Sequence, residues 1–148
     1  MKATAMLKRQ HREVKGLFEE AKKAVKPSRR RALLDEIAGK LRAHMKVEEE
    51  IFYPAVSEES ERKKMRELIP EAYEEHHVVK LVLDELPEVD PADERFVAKV
   101  TVLSELVDHH VEEEENEMFP AVEKDLGAEL LSELGERMQA AMSAAPAR

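Results

Sequence analysis

The chain has no cysteine and no tryptophan, and only four glycines. Without thiols there is no disulfide framework, no zinc–thiolate site and no thiol redox chemistry. Aromatic residues make up just 4% of the sequence. Together with the scarce glycine, this argues against a β-sandwich and against a Gly-rich phosphate-cradling loop. No run approaches the roughly 18 apolar residues a membrane-spanning helix needs. The N-terminal MKATAMLKRQ lacks the apolar core of a secretion signal, so the expected location is the cytoplasm. Lys and Arg number 24 against 33 Asp and Glu, for a net charge of −9. That balance disfavours nucleic acid and anionic membranes as partners, since both select basic patches.

The 148 residues suit one domain, expected to span 1–142 with a frayed tail at 143–148. Abundant Ala, Leu, Glu and Lys favour helix. Apolar residues recur at three- and four-residue spacing in four long segments, about Thr4–Val25, Arg29–Tyr53, Pro70–Leu86 and Ala92–Phe119. Pro27, Pro54 and Pro120 punctuate them, SEESERKKMREL reads as a short helix or helical extension, and PEVDP is a clear break. Ser28 is a candidate N-cap for the second helix, and Asp90 or Asp93 for the fourth. A fifth, shorter stretch carries Leu126, Leu130, Leu134 and Met138 at helical spacing. The pattern predicts an all-α protein: an up-down-up-down four-helix bundle with an extra short C-terminal helix outside it.

The chain also repeats itself. QHREVKGLFEE at 10–20 resembles EHHVVKLVLDE at 75–85, and LRAHMKVEEEIFYP at 41–54 resembles VDHHVEEEENEMFP at 107–120. His76 follows His11 by 65 residues and His110 follows His44 by 66. Two helical hairpins of one half-chain each imply a pseudo-twofold axis, with equivalent residues facing each other.

Every long helix then carries one repeat-related histidine on its apolar stripe: His11, His44, His76 and His110. Glu48 and Glu114 lie four residues after His44 and His110, rotated by only about 40° and so on the same face. A lone buried histidine is usually just a hydrogen-bonded core residue. Four at repeat-related positions with two carboxylates are another matter, because each unpaired buried carboxylate costs several kcal/mol. A metal compensates that cost. Imidazole plus carboxylate suits Fe, Mn or Zn, and two symmetric HxxxE hairpins suggest two metals bridged by Glu48 and Glu114, each taking about two histidines. His77 and His109 are rotated by about 100° and read as flanking residues, although a register using His109 and Glu113 remains open. Glu49, Glu50, Glu112, Glu113 and Glu115 read as solvated charge. Tyr53 and Tyr73 read as core packing, with a hydrogen bond to the site as the alternative.

The ordered set of His11, the His44-Met45-Lys46-Val47-Glu48 motif, His76, and the His110-Val111-Glu112-Glu113-Glu114 motif resembles the hemerythrin-like family with the HHE cation-binding domain. The resemblance covers about residues 5 to 120. It implies a four-helix bundle around two non-haem iron ions, bridged by both carboxylates and an oxo or hydroxo group. The implied ligands of those ions are small: O2, NO or peroxide. One departure stands out. The third-helix HxxxH pair of the oxygen carriers is missing, because Lys80 follows His76 at +4 and Ala72 precedes it at −4. Simple reversible oxygen carriage is therefore in question. The expected function is binding or sensing of such a ligand. The alternatives are an enzyme of the catalase, peroxidase or NO-stress type, and iron storage or sensing. A sensor needs a protein partner.

Overall fold

A computed structural model describes residues 1–144, and all elements among them are helical. α1 spans Ala3–Lys23, α2 Pro27–Val47, α3 Tyr53–Glu59, α4 Lys63–Glu85, α5 Glu94–Glu113 and α6 Phe119–Ala144. α1 packs on α2 and α5, and α4 packs on α5 and α2. These neighbours define an antiparallel four-helix square, the expected bundle. α6 packs on the outside of it, against α1, α2 and α3.

The helix ends follow local chemistry. α1 stops at Lys23, two residues before the expected Val25, which is 79% exposed. Ser28 does not cap α2: Pro27 occupies the first turn and Lys26 is the cap position, without a side-chain bond. A proline needs no partner there, having no N–H to satisfy. Asp93 does cap α5, its carboxylate accepting from the Arg95 backbone N–H at 2.9 Å.

α4 begins at Lys63 rather than near Pro70, which lies inside it. Met65 and Ile69 extend its buried face. Burying two such side chains stabilises by about 3–6 kcal/mol, against about 3 kcal/mol lost to an interior proline.

Pro54 and Pro120 do not end their helices either. In each case the helix widens into a π-helical turn, Glu48–Phe52 and Glu114–Met118. The Tyr53 N–H bonds the Glu48 carbonyl, and the Phe119 N–H bonds the Glu114 carbonyl. This i→i−5 bond bypasses the donor that proline lacks. The extra residue rotates the stripe. Ile51, expected inward, is only half-buried, while Phe52 and Tyr53 are fully buried.

The apolar core falls into two parts. One contains Phe18, Ile37, Leu41, Val79, Phe96 and Leu103. The other contains Leu7, Phe52, Tyr53, Met65, Phe119 and Leu134. In α1 and α4 the change from one part to the other falls at a histidine: His11 lies between Leu7 and Val14, and His76 between Ala72 and Val79; in α2 and α5 it falls just beyond His44 and His110. The histidine layer divides the core.

Gly127, with φ of 82°, breaks α6 into a continuation of the bundle helix and a separate C-terminal piece. That piece reaches Ala144, so residues 143 and 144, expected in the tail, are helical; 145–148 lie outside the described residues. It packs on the start of α1 through Gly135, where an added Cβ would collide with the Met1 carbonyl oxygen. Gly135→Ala is expected to push the N-terminus off α6 and cost about 1–3 kcal/mol, the usual range for overpacking. Thermal unfolding of that variant, compared with Gly39→Ala where the space is open, checks this.

Candidate metal centre

All six predicted ligand residues meet in the layer between the two core parts. His11, His44, His76 and His110 are at most 7% exposed, and Glu48 and Glu114 at most 1%. Their ligating atoms form two groups that share a carboxylate: His11, His44, Glu48 and Glu114, and then Glu48, His76 and His110. His44 Nε2 lies 3.2 Å and His76 Nε2 3.1 Å from Glu48 Oε1. His11 Nε2 lies 3.2 Å from Glu114 Oε1, and His110 Nε2 3.3 Å from Glu114 Oε2. Each glutamate therefore reaches one histidine of its own hairpin and one of the other. The His11 and His44 rings are 4.9 Å apart, and those of His76 and His110 4.7 Å.

His11 Nε2, His44 Nε2, both Glu48 carboxylate oxygens and Glu114 Oε1 have no hydrogen-bond partner among the described residues, despite full burial. Each such atom costs about 1–3 kcal/mol, more where charged. Native interiors rarely tolerate five together. Nitrogen and oxygen donors that converge without satisfying one another suit cations, so this donor set fits metal ions.

The opposite ring nitrogens explain why every Nε2 points inward. His11 Nδ1 is bonded to Glu115 Oε2 at 2.6 Å, His44 Nδ1 to Gln10 Oε1 at 2.6 Å, His76 Nδ1 to Glu49 Oε2 at 2.7 Å, and His110 Nδ1 to Glu75 Oε1 at 2.6 Å. An acceptor at Nδ1 puts the proton there and leaves Nε2 free to ligate. The sequence reading missed these four residues, and Glu49 and Glu115 were expected to be solvated charge. Both are half-buried. A signal was present: Gln10 and Glu75 each directly precede a repeat-related histidine, and Glu49 and Glu115 each directly follow a repeat-related glutamate.

Tyr53 is fully buried at the site. Its hydroxyl donates to Glu114 Oε2 at 2.5 Å and stands 3.3 and 3.4 Å from Nε2 of His110 and His76. Burial, then the Glu48 and Glu114 charges, push its pKa well above the ordinary phenol value, so it stays protonated. Its repeat mate Phe119 stacks on His11, at 6.1 Å between ring centres. Tyr73 bonds the Glu49 backbone carbonyl instead. His77, Glu50 and Glu112 are exposed. His109, 67% exposed, lies 3.4 Å from Glu113 on the outer surface; it is His110 and Glu114 that face inward.

The metal-free centre holds its charges by mutual pairing. Burial opposes a charge on His110, but Glu114 outweighs it and raises the pKa well above 6.5. For His11, burial is outweighed in the same way by Glu114 and Glu48. Burial also opposes the Glu48 carboxylate, yet its electrostatic attraction to His44 and the neighbouring polar groups holds it well below 4.5.

Fold and site together define a class: a four-helix bundle with a metal-binding layer of histidine and carboxylate in its core. The chain belongs to the hemerythrin HHE cation-binding domain family, whose model matches residues 2–122. A solved hemerythrin HHE cation-binding domain-containing protein, the Rv2633c homologue from Mycobacterium kansasii, is 30% identical. It superposes with a TM-score of 0.83 over 97% of this chain and 86% of its own. A curated relative named DNA nickase, from Nostoc sp. (strain PCC 7120 / SAG 25.82 / UTEX 2576), is 28% identical over 138 residues. Those residues are 93% of this chain but 38% of that protein.

The paired charges predict how pH acts on the stability of the metal-free protein. The raised histidines stabilise fully below their unfolded value, about 6.5, and lose that contribution as pH rises through the folded value. The depressed Glu48 stabilises above its unfolded value and loses that contribution as pH falls through the folded one. Chelator-treated protein should therefore melt higher at about pH 5.5 than at about pH 8.5. Saturating divalent metal should reverse the order, because ligation needs neutral imidazole.

Proposed function

We propose that this chain is a dinuclear iron protein that binds or senses a small gaseous or peroxidic ligand. Glu48 and Glu114 span the two metal positions; His11 and His44 serve one, His76 and His110 the other. The carrying observation is a cavity of about 20 Å³ in contact with all four histidines and otherwise lined mainly by Val14, Leu41, Met45, Val79, Val107 and Val111. About 10–15 Å³ admits one water-sized molecule. O2, NO or hydrogen peroxide fits; an organic substrate does not. The near-apolar walls favour a neutral diatomic and keep bulk water from the centre. Bound ferrous iron supplies the electrons and the open coordination positions such a ligand needs.

A second reading, peroxide turnover in the manner of a catalase or peroxidase, draws support from Tyr53. Its hydroxyl oxygen lies 2.5 Å from Glu114 Oε2, which holds a proton at the centre where a reaction that makes water would use it. Storage finds less support, since the layer offers two positions rather than a mineral cavity. A sensing role adds a protein partner to the proposal. No helix among the described residues is long and apolar enough to cross a membrane, in keeping with the proposed cytoplasmic setting. The nicking activity named for the Nostoc protein is not carried over: this chain spans 38% of it, and a net charge of −9 repels phosphates.

Anaerobic reconstitution with Fe(II), followed by optical spectra with O2, NO, azide and peroxide, tests the proposal. The expected outcome is about two irons per chain and new absorption with NO; fewer than about one iron, or zinc binding alone, sinks it. Adding one methylene to the cavity wall in Val107→Leu should slow NO binding with iron content unchanged. O2 evolution from peroxide that vanishes in His110→Ala supports the enzymatic reading instead.

A further inference from the structure

The pseudo-twofold that pairs the ligands is broken in the residues behind them. Gln10 and Glu75 are repeat mates, and each accepts the Nδ1 proton of the histidine on the next helix at 2.6 Å. One is a neutral amide, the other a carboxylate. The His11/His44 position is thus backed by one carboxylate, Glu115, and one amide. The His76/His110 position is backed by two carboxylates, Glu49 and Glu75. Lys80 holds Glu49 in place at 3.0 Å. The second break is Tyr53 against Phe119: a phenol oxygen faces His76 and His110, and a phenyl ring faces His11.

A carboxylate behind an imidazole draws the Nδ1 proton toward itself and makes Nε2 the stronger donor. An amide oxygen, uncharged, does this less. Groups in this role change metal affinity by about 10- to 100-fold. Resting on the dinuclear reading above, we infer that the two positions bind metal unequally. The His76/His110 position fills first, the His11/His44 position is the weaker and more readily emptied one, and the Gln10–Glu75 exchange sets the difference.

Chelator-stripped full-length protein titrated with Co(II) at neutral pH tests this, followed by d–d absorption and tyrosine emission. The chain has no tryptophan and two tyrosines. Tyr53 packs on His76 at 5.6 Å and Tyr73 on Tyr53 at 5.4 Å, so emission reports the His76/His110 position. Wild type should bind in two steps, with quenching in the first. Gln10→Glu should tighten the second step by about 10- to 100-fold and leave the first in place; Glu75→Gln should weaken the first by a similar factor. Repulsion between two cations gives two steps by itself, but a gap so caused does not close in Gln10→Glu. An unchanged gap in that variant overturns the inference, as does quenching that follows the second step. Where one variant fails to fold by circular dichroism, the other decides. Fewer than two Co(II) per chain overturns the dinuclear reading itself.

Discussion

The burial of Glu48 and Glu114 is the constraint on which the rest of this molecule depends. Two carboxylates in the middle of a bundle are tolerable only when positive charge meets them. The four histidines exist in that layer to supply it, as imidazolium in the metal-free chain or as ligands of cations. The layer divides the apolar core in two. It also dictates the helix ends nearby, since both π-helical turns begin at the buried glutamates. A bundle optimised for stability alone would fill the layer with leucine. That it does not is the physical sign of a functional centre.

Much of this was legible in the sequence because helix geometry is strict. Spacings of three and four residues placed His44 with Glu48 and His110 with Glu114, and the 65- and 66-residue repeat brought the two halves together. What escaped was of two kinds. Pro54, Pro70 and Pro120 suggested boundaries, because proline removes a donor. Tertiary burial of Met65 and Ile69, and the wider hydrogen-bond pattern of the π-helical turns, overrode that local cost. Glu49, Glu75 and Glu115 escaped because a charged residue among many others does not stand out by hydrophobic period; only its place beside a repeat-related ligand marks it. The packing of one helix against the next then shows which ring each of them meets.

The centre separates its tasks in space. Once they ligate a cation, the converging histidine and glutamate atoms would have no proton to give; Tyr53, kept protonated by burial and by its acidic neighbours, does. The apolar cavity meets the histidines and is walled mainly by valine, leucine and methionine, whereas Tyr53 belongs to the other part of the core. The layer thus has an apolar face and a face that carries a proton.

The brackets behind the histidines cross between the halves of the chain. Gln10 and Glu75 each hold a histidine of their own hairpin, but Glu49 of the first hairpin holds His76 of the second, and Glu115 of the second holds His11 of the first. Neither hairpin carries a full complement for its own two rings. A single hairpin is therefore an unfinished object, completed only by a second of its kind docked in reverse. Joining the two in one chain makes that encounter intramolecular, independent of concentration. It also lets the two halves differ, as Gln10 differs from Glu75 and Phe119 from Tyr53.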